Sequence, residues 1–233
     1  MGTLYLIPTT LGEGNIKDVL PDSNSFIISK LKYFIVENIR TARRFIKQVN
    51  REILIDDLHF FELNEHTDLL QVSEFIKPLF DGFDVGIISE AGCPVVADPG
   101  ALVVELAQKA KIKVVPLVGP SSILLSLMAS GFNGQNFAFN GYLPVDGKNR
   151  IKKLKSLENR VFNENQTQIF IETPYRNNQL LQDIIKTLKP HSKLCIAAEL
   201  TTENEQIKTL FISDWEKQKI NLNKKPAIFL IYK

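Results

Sequence analysis

Glutamates and arginines occur at or close to the ends of short apolar runs that predict strands. Glu37, Glu90, Glu172 and Glu199 are the acidic members, and Arg40, Arg43, Arg44 and Arg176 are the basic ones. A carboxylate can accept a proton from a hydroxyl group, and a guanidinium can hold a phosphate through two parallel hydrogen bonds. The alternative is structural: each glutamate could cap a helix or pair with a neighbouring arginine, as in Glu37 with Arg40 or Glu172 with Arg176. The sequence leaves both possibilities open.

Loops rich in glycine, proline and small residues follow several of the predicted strands. They span residues 8–14, 90–100, 118–122 and 172–176. Such loops let a ligand approach the backbone closely, and in open α/β sheets ligands bind beyond the carboxyl ends of the strands. One such loop is more simply a strand-to-helix turn, but several at equivalent strand ends predict a ligand cleft. Asp98, before Pro99, is predicted to be a turn residue or a helix cap.

The elements that must position these loops follow from apolar periodicity. In the first half, strands at 3–7, 33–37, 60–63, 84–89 and 113–117 alternate with helices at 38–49, 68–80 and 101–110. This rhythm predicts a mainly parallel sheet with helices on its faces. In the second half, strands at 136–139, 168–172, 193–198, 207–212 and 227–232 outnumber helices at 123–130, 150–157 and 177–188, which predicts a mixed sheet. We therefore expect an α/β protein with domains 1–118 and 119–233.

Composition excludes several classes of protein. A net charge of +2 over 233 residues argues against a polycation that coats nucleic acid. Cys93 and Cys195 are far apart, and His59, His66 and His191 stand alone, so we expect neither a disulfide framework nor a metal site. We take His66 as a surface loop residue. No signal peptide and no long apolar span is found, so a cytoplasmic protein with no membrane association is predicted.

Several well-known motifs are also missing. The sequence contains no G-x-G-x-x-G, which argues against a dinucleotide fold of the usual kind, and no G-x-x-x-x-G-K-S/T, which argues against nucleotide triphosphate hydrolysis. It has no G-x-S-x-G turn of a serine hydrolase either.

A family resemblance emerges from the segments that surround the loops. They are residues 2–9 (GTLYLIPT), 37–41 (ENIRT), 88–100 (ISEAGCPVVADPG), 115–122 (VPLVGPSS), 172–176 (ETPYR), 198–201 (AELT) and 226–228 (PAI). Together they resemble the tetrapyrrole methylase superfamily of S-adenosylmethionine-dependent methyltransferases. The branch they resemble most methylates a cytidine 2′-hydroxyl in ribosomal small-subunit RNA.

The resemblance implies a two-domain fold with a cofactor cleft between the domains, and a homodimer. S-Adenosylmethionine would be bound by Pro8, Gly92, Cys93, Pro94, Val95, Ser121, Ser122, Ile171, Ala198, Leu200 and Ala227. The expected catalytic residues are Glu172, Glu37, Arg40 and Arg176. No metal is required, because methyl transfer from a sulfonium depends mainly on aligning the reacting atoms.

The methyl acceptor implied by the resemblance is a cytidine ribose in the RNA of the small ribosomal subunit. A tetrapyrrole or another small metabolite is one alternative, and a non-catalytic protein that binds S-adenosylmethionine for regulation is another. A basic cluster could be the solvated face of a helix or could follow an RNA backbone. It comprises Lys148, Arg150, Lys152, Lys153, Lys155 and Arg160. It would also suit a carboxylate-rich porphyrin precursor, so it does not distinguish these substrates.

Overall fold

The structure, a computed structural model, describes residues 1–64 and 67–233 of the chain. They form two compact units, Met1–Ser121 and Ser122–Lys233. The sequence placed the boundary after residue 118.

The first unit contains a parallel sheet with strand order β3-β2-β4-β1-β5. Its strands are β1 (Thr3–Ile7), β2 (Tyr33–Val36), β3 (His59–Glu62), β4 (Val85–Ile88) and β5 (Lys113–Pro116). Its helices are α1 (Asp22–Ile28), α2 (Ile39–Val49), α3 (Leu69–Phe75), α4 (Lys77–Phe80) and α5 (Ala101–Lys109), with 3-10 turns at Ile16–Asp18 and Ile55–Asp57. The predicted parallel sheet is confirmed.

Both faces of this sheet are covered, which explains why its inner strands β2 and β4 are continuous apolar runs rather than alternating ones. On β2, Ile35 packs into one hydrophobic cluster, whereas Phe34 and Val36 pack into another on the opposite face. All four residues of β4 are buried. Because the strands are parallel, their carboxyl ends, and the loops that follow them, lie along one edge.

Two helices of this unit differ from the sequence prediction. The predicted helix over 68–80 is divided at Ile76 into α3 and α4. Pro78 explains the break, because it has no N–H to continue the helical hydrogen bonds. Helix α1 was not predicted; its buried residues are only Asn24 and Ile28, so it has little apolar periodicity.

The second unit contains a mixed sheet with strand order β6-β7-β10-β8-β9. The strands are β6 (Phe137–Tyr142), β7 (Thr167–Ile171), β8 (Lys193–Ala198), β9 (Gln206–Phe211) and β10 (Ala227–Tyr232). β6 and β7 are parallel and the other pairs are antiparallel, which confirms the predicted mixed sheet. The helices are α6 (Ser122–Ser130), α7 (Gly147–Glu164), α8 (Asn177–Thr187) and α9 (Ile212–Trp215).

The core of the second unit lies between the sheet and these helices. Phe170 and Phe229 stack on adjacent strands with ring centroids 6.0 Å apart. Buried Trp215 donates a hydrogen bond of 2.9 Å from Nε1 to the Leu194 carbonyl, which satisfies its polar atom. Within residues 1–64 and 67–233, no helix has the length and apolar character needed to cross a membrane.

Candidate functional site

The carboxyl edge of the first sheet brings together the loops that follow β1, β4 and β5. The Thr9 N–H donates a hydrogen bond of 3.0 Å to the Gly92 carbonyl. Cys93 Sγ lies 3.5 Å from the Pro120 carbonyl oxygen, and burial raises the pKa of this thiol, so it stays protonated and can donate. Three of the loops singled out in the sequence therefore contact one another in this unit.

The loop after β4 has an unusual backbone. Val95 and Ala97 have φ values of 73° and 63°, which are unfavourable for residues with a Cβ atom, above all for β-branched Val95. The Asp98 carboxylate holds this conformation by accepting hydrogen bonds from the N–H groups of Val95 (2.7 Å) and Gly100 (2.9 Å). Asp98 is thus a turn residue, as predicted. Strain of this kind is concentrated at ligand-binding segments.

A polar cavity of about 560 Å³ lies between the loop after β1, helix α2 and the start of the loop after β4. Its polar lining includes Thr10, Glu13, Thr41, Arg44, Gln48 and Glu90. Thr9 also lines it, and the buried Thr9 hydroxyl has no hydrogen-bond partner among the described residues. Because buried polar atoms are nearly always paired, this hydroxyl is suited to a ligand.

Glu37 directly follows β2, and its surroundings favour the protonated form of its carboxyl group. Burial raises its pKa, the carboxylates of Asp98 and Glu90 raise it further, and a hydrogen bond from the Glu90 N–H partly offsets the rise. Within the described part of the chain, Glu37 forms no ion pair with Arg40, which is exposed. The Glu90 side chain accepts a hydrogen bond of 2.5 Å from the Thr41 hydroxyl.

In the second unit, Glu172 and Arg176 form the ion pair that the sequence left open. Arg176 Nη2 lies 2.8 Å from Glu172 Oε1, which also accepts a bond of 2.7 Å from the Thr173 N–H. Burial would raise the pKa of Glu172, but the hydrogen bonds from Arg176 and Thr173 outweigh it, so that this pKa lies below its ordinary value. Glu172 Oε2 and Arg176 Nε are buried without a partner in the described residues, which leaves polar atoms for a ligand.

Four of the residues predicted to bind the cofactor, Ile171, Ala198, Leu200 and Ala227, lie at or next to one end of the second sheet. Ala227 pairs with Ala198, and Ile228, next to Ala227, pairs with Ile171. Leu200 follows β8 and is buried. The neighbouring Glu199 has a φ of 53°, and its carboxylate lies 2.6 Å from Lys225 Nζ. Ser122 begins α6 of this unit, and Ser121 is the last residue of the first unit.

The basic cluster on α7 is partly structural. Arg150 is buried, and its Nη2 lies 2.6 Å from Asp183 Oδ2. The same guanidinium donates to the Pro144 and Val145 carbonyls. The prediction of a solvated helix face is therefore wrong for Arg150. It was wrong because this position turns toward α8, whereas Lys148 and Lys152 are exposed.

Residues that sequence reasoning missed include Thr9 and Thr41. Thr9 comes two residues after a predicted strand, next to Pro8, so its position was a usable signal. Thr41 matters through its bond to Glu90, far away in the sequence, which no local pattern reveals. His66 lies outside the described residues. Among the described residues, no group of three or more His, Cys, Asp or Glu side chains could hold a metal ion.

Comparisons with known proteins identify the family of this chain. The family model for Tetrapyrrole (Corrin/Porphyrin) Methylases matches residues 32–215. Ribosomal RNA small subunit methyltransferase I of Buchnera aphidicola subsp. Schizaphis graminum is 32% identical over 99% of this chain and 78% of that protein. The protein of the same name from Vibrio cholerae is 28% identical over 98% of this chain and 76% of its own length.

Solved structures with the same fold include the methyltransferase CobJ. The match has a TM-score of 0.66 and 15% identity, and it covers 100% of this chain and 95% of the CobJ chain. Uroporphyrin-III-C-methyltransferase from Thermus thermophilus matches with a TM-score of 0.57 and 14% identity. This match covers 100% of this chain and 92% of that protein's chain. At these identities the likeness concerns the fold alone.

Proposed function

The chain belongs to the tetrapyrrole (corrin/porphyrin) methylase family, and from this premise we propose that it methylates the RNA of the small ribosomal subunit. The reaction is transfer of a methyl group from S-adenosylmethionine to the ribose 2′-hydroxyl of a cytidine. The observation that carries this proposal is the similarity to ribosomal RNA small subunit methyltransferases I over 98–99% of the chain.

The first unit offers features that fit S-adenosylmethionine. Its converging loops provide a strained backbone at Val95 and a buried hydroxyl of Thr9 without a partner among the described residues. We assign contacts with the cofactor to Pro8, Gly92, Cys93, Pro94, Val95, Ser121, Ser122, Ile171, Ala198, Leu200 and Ala227. When bound, the cofactor supplies a methyl group on a positively charged sulfur.

The protein's own side chains would prepare the acceptor. A ribose hydroxyl is a poor nucleophile until its proton is accepted. Glu37 suits this role because its raised pKa makes the carboxylate a better base than an ordinary glutamate. Glu172 suits a different role, because its ion pair positions Arg176, which would bind a phosphate group. We assign phosphate binding to exposed Arg40 of the first unit as well. Holding the reactants in line can lower the free-energy barrier to methyl transfer by roughly 7–11 kcal/mol.

A labelled-methyl assay tests the proposal. Purified protein, S-adenosylmethionine with a labelled methyl group and small ribosomal subunits from a strain lacking this gene should yield labelled RNA. Label on a tetrapyrrole but not on RNA would support the metabolite alternative. Binding of S-adenosylmethionine with no transfer to either acceptor would support the regulatory alternative. We also propose that the protein forms a homodimer and that it is located in the cytoplasm.

A further inference from the structure

Helix α2 and the residues after it present a row of cations that the proposed chemistry does not use. Arg44 and Lys47 are spaced at i and i+3 on α2, which places them on the same side of the helix, and Arg51 lies in the turn after the helix ends at Val49. The opposite side of α2, formed by Ala42, Phe45 and Ile46, is buried against the sheet. The row therefore faces outward.

These cations line a groove of about 630 Å³ together with Lys17 from the 3-10 turn after β1. No carboxylate is among the described residues that line the groove. None of the four cations forms an ion pair with a described carboxylate, although Lys47 donates a bond of 2.9 Å to the Arg51 carbonyl. Uncompensated charge of this density attracts polyanions, and guanidinium groups match phosphate oxygens.

The groove adjoins the polar cavity at the carboxyl edge of the sheet. Gly14, Arg44 and Gln48 line both. Arg44 thus lies at the junction between the groove and the cavity that contains Thr9 and Glu90. The cavity alone is within the size range of small-molecule sites, roughly 300–1,000 Å³. The additional cationic groove suits an extended, charged ligand better than a compact metabolite.

We propose that this groove, defined by Lys17, Arg44, Lys47 and Arg51, binds the phosphates of the RNA strand next to the acceptor nucleotide. The inference rests on the proposed function and identifies where its substrate is bound. Arg44 and Lys47 lie about one helical turn apart on α2, and Arg51 follows the end of that helix, so the row can contact phosphates in succession. The described lining contains no aromatic ring, so we expect the groove to bind the backbone without reading the bases.

A matched pair of triple variants tests this inference. The groove variant is Arg44→Gln, Lys47→Gln, Arg51→Gln. The control is Lys32→Gln, Lys113→Gln, Lys186→Gln, which removes the same charge from exposed positions outside both the groove and the α7 cluster. Binding of wild type and both variants to small ribosomal subunits is measured across a series of salt concentrations, and thermal unfolding establishes that each variant folds.

The groove variant should bind at least about 10-fold more weakly, and its salt slope should fall by about 0.7–0.9 for each phosphate that the variant no longer binds. The control should bind like wild type. Equal affinity and slope in wild type and groove variant, or a loss in the control variant as large as that in the groove variant, would overturn the inference. The methyl-transfer assay is read separately: RNA that binds in the groove but receives no methyl group would refute the proposed function alone.

Discussion

Gly119 packs so tightly on Pro8 that a Cβ atom at residue 119 would lie 2.3 Å from Pro8 Cγ. The two residues follow β5 and β1, which are neighbouring parallel strands. Their contact sets the distance between two of the loops to which we assign cofactor binding. A glycine is needed here because of close approach rather than because of its backbone angle.

Gly119→Ala is therefore expected to force these loops apart. We predict a loss of about 1–3 kcal/mol in the free energy of unfolding, as for other overpacked sites, together with weaker binding of S-adenosylmethionine. Denaturant unfolding and calorimetry measure the two effects. Gly134→Ala is the control, because a Cβ atom there meets nothing within 4 Å. If both variants behaved alike, the contact with Pro8 would not hold the loops in place.

Thr9→Val tests whether the buried hydroxyl serves a ligand. The substitution keeps the side chain's shape and removes a polar atom that has no partner among the described residues. The unfolding free energy without ligand should stay unchanged or rise, whereas affinity for S-adenosylmethionine should fall roughly 2- to 12-fold, the equivalent of one hydrogen bond.

The contrasting variant is Thr167→Val. Its hydroxyl donates a bond of 2.9 Å to the Asn133 carbonyl in the second unit. It should lose about 1 kcal/mol of stability and keep its cofactor affinity. Unchanged cofactor affinity in Thr9→Val would remove Thr9 from the site.

Glu37→Gln should change the pH dependence of stability. The raised pKa of Glu37 means that the folded protein holds this proton at pH values where the unfolded chain has released it. This carboxyl group therefore makes stability fall as pH rises from the ordinary glutamate pKa through the raised one. The glutamine variant lacks this pH-dependent loss of stability, so it should be more stable than wild type at pH 7 but not at pH 4. Its methyl transfer should be reduced, because glutamine cannot accept the proton.

Unfolding curves at the two pH values, with exposed Glu203→Gln as control, measure this difference. A stability difference between Glu37→Gln and wild type that is the same at both pH values would show that Glu37 titrates normally. Retained methyl transfer in this variant would show that another group accepts the proton.

Arg150→Ala should be far more destabilising than a substitution at the next lysine of the same helix. Arg150 is buried in an ion pair with Asp183, and its removal leaves a largely buried carboxylate without its cation. We expect a loss of about 3–5 kcal/mol. Exposed Lys152→Ala should change stability by less than about 0.5 kcal/mol, as measured by denaturant unfolding. Similar values for both would place Arg150 on the solvated face after all.

Periodicity and loop composition were sufficient for most of the fold. The strands that run through the centre of each sheet, such as β4 and β10, are continuous apolar runs, so they stand out in the sequence. Helix α7 is longer than predicted. It begins at Gly147, where the Asp146 side chain accepts a bond from the Asn149 N–H, and this polar first turn has no apolar repeat.

Parts of the site could not be predicted, because they depend on contacts between distant segments. Glu172 with Arg176 was visible as a local pair, and the structure forms it. Glu37 with Arg40 has similar spacing, but Arg40 lies exposed beyond the strand end and the two do not pair among the described residues. The difference is set by tertiary packing around each glutamate, as is the pairing of Arg150 with Asp183.

The central claim is transfer of a methyl group to RNA, and mapping the modified nucleotide tests it most directly. Small ribosomal subunits from a strain lacking this gene are incubated with the protein and S-adenosylmethionine, and their RNA is analysed by nuclease digestion and mass spectrometry. We predict one new 2′-O-methylcytidine. RNA that remains unmethylated in the presence of folded, cofactor-binding protein would contradict the account.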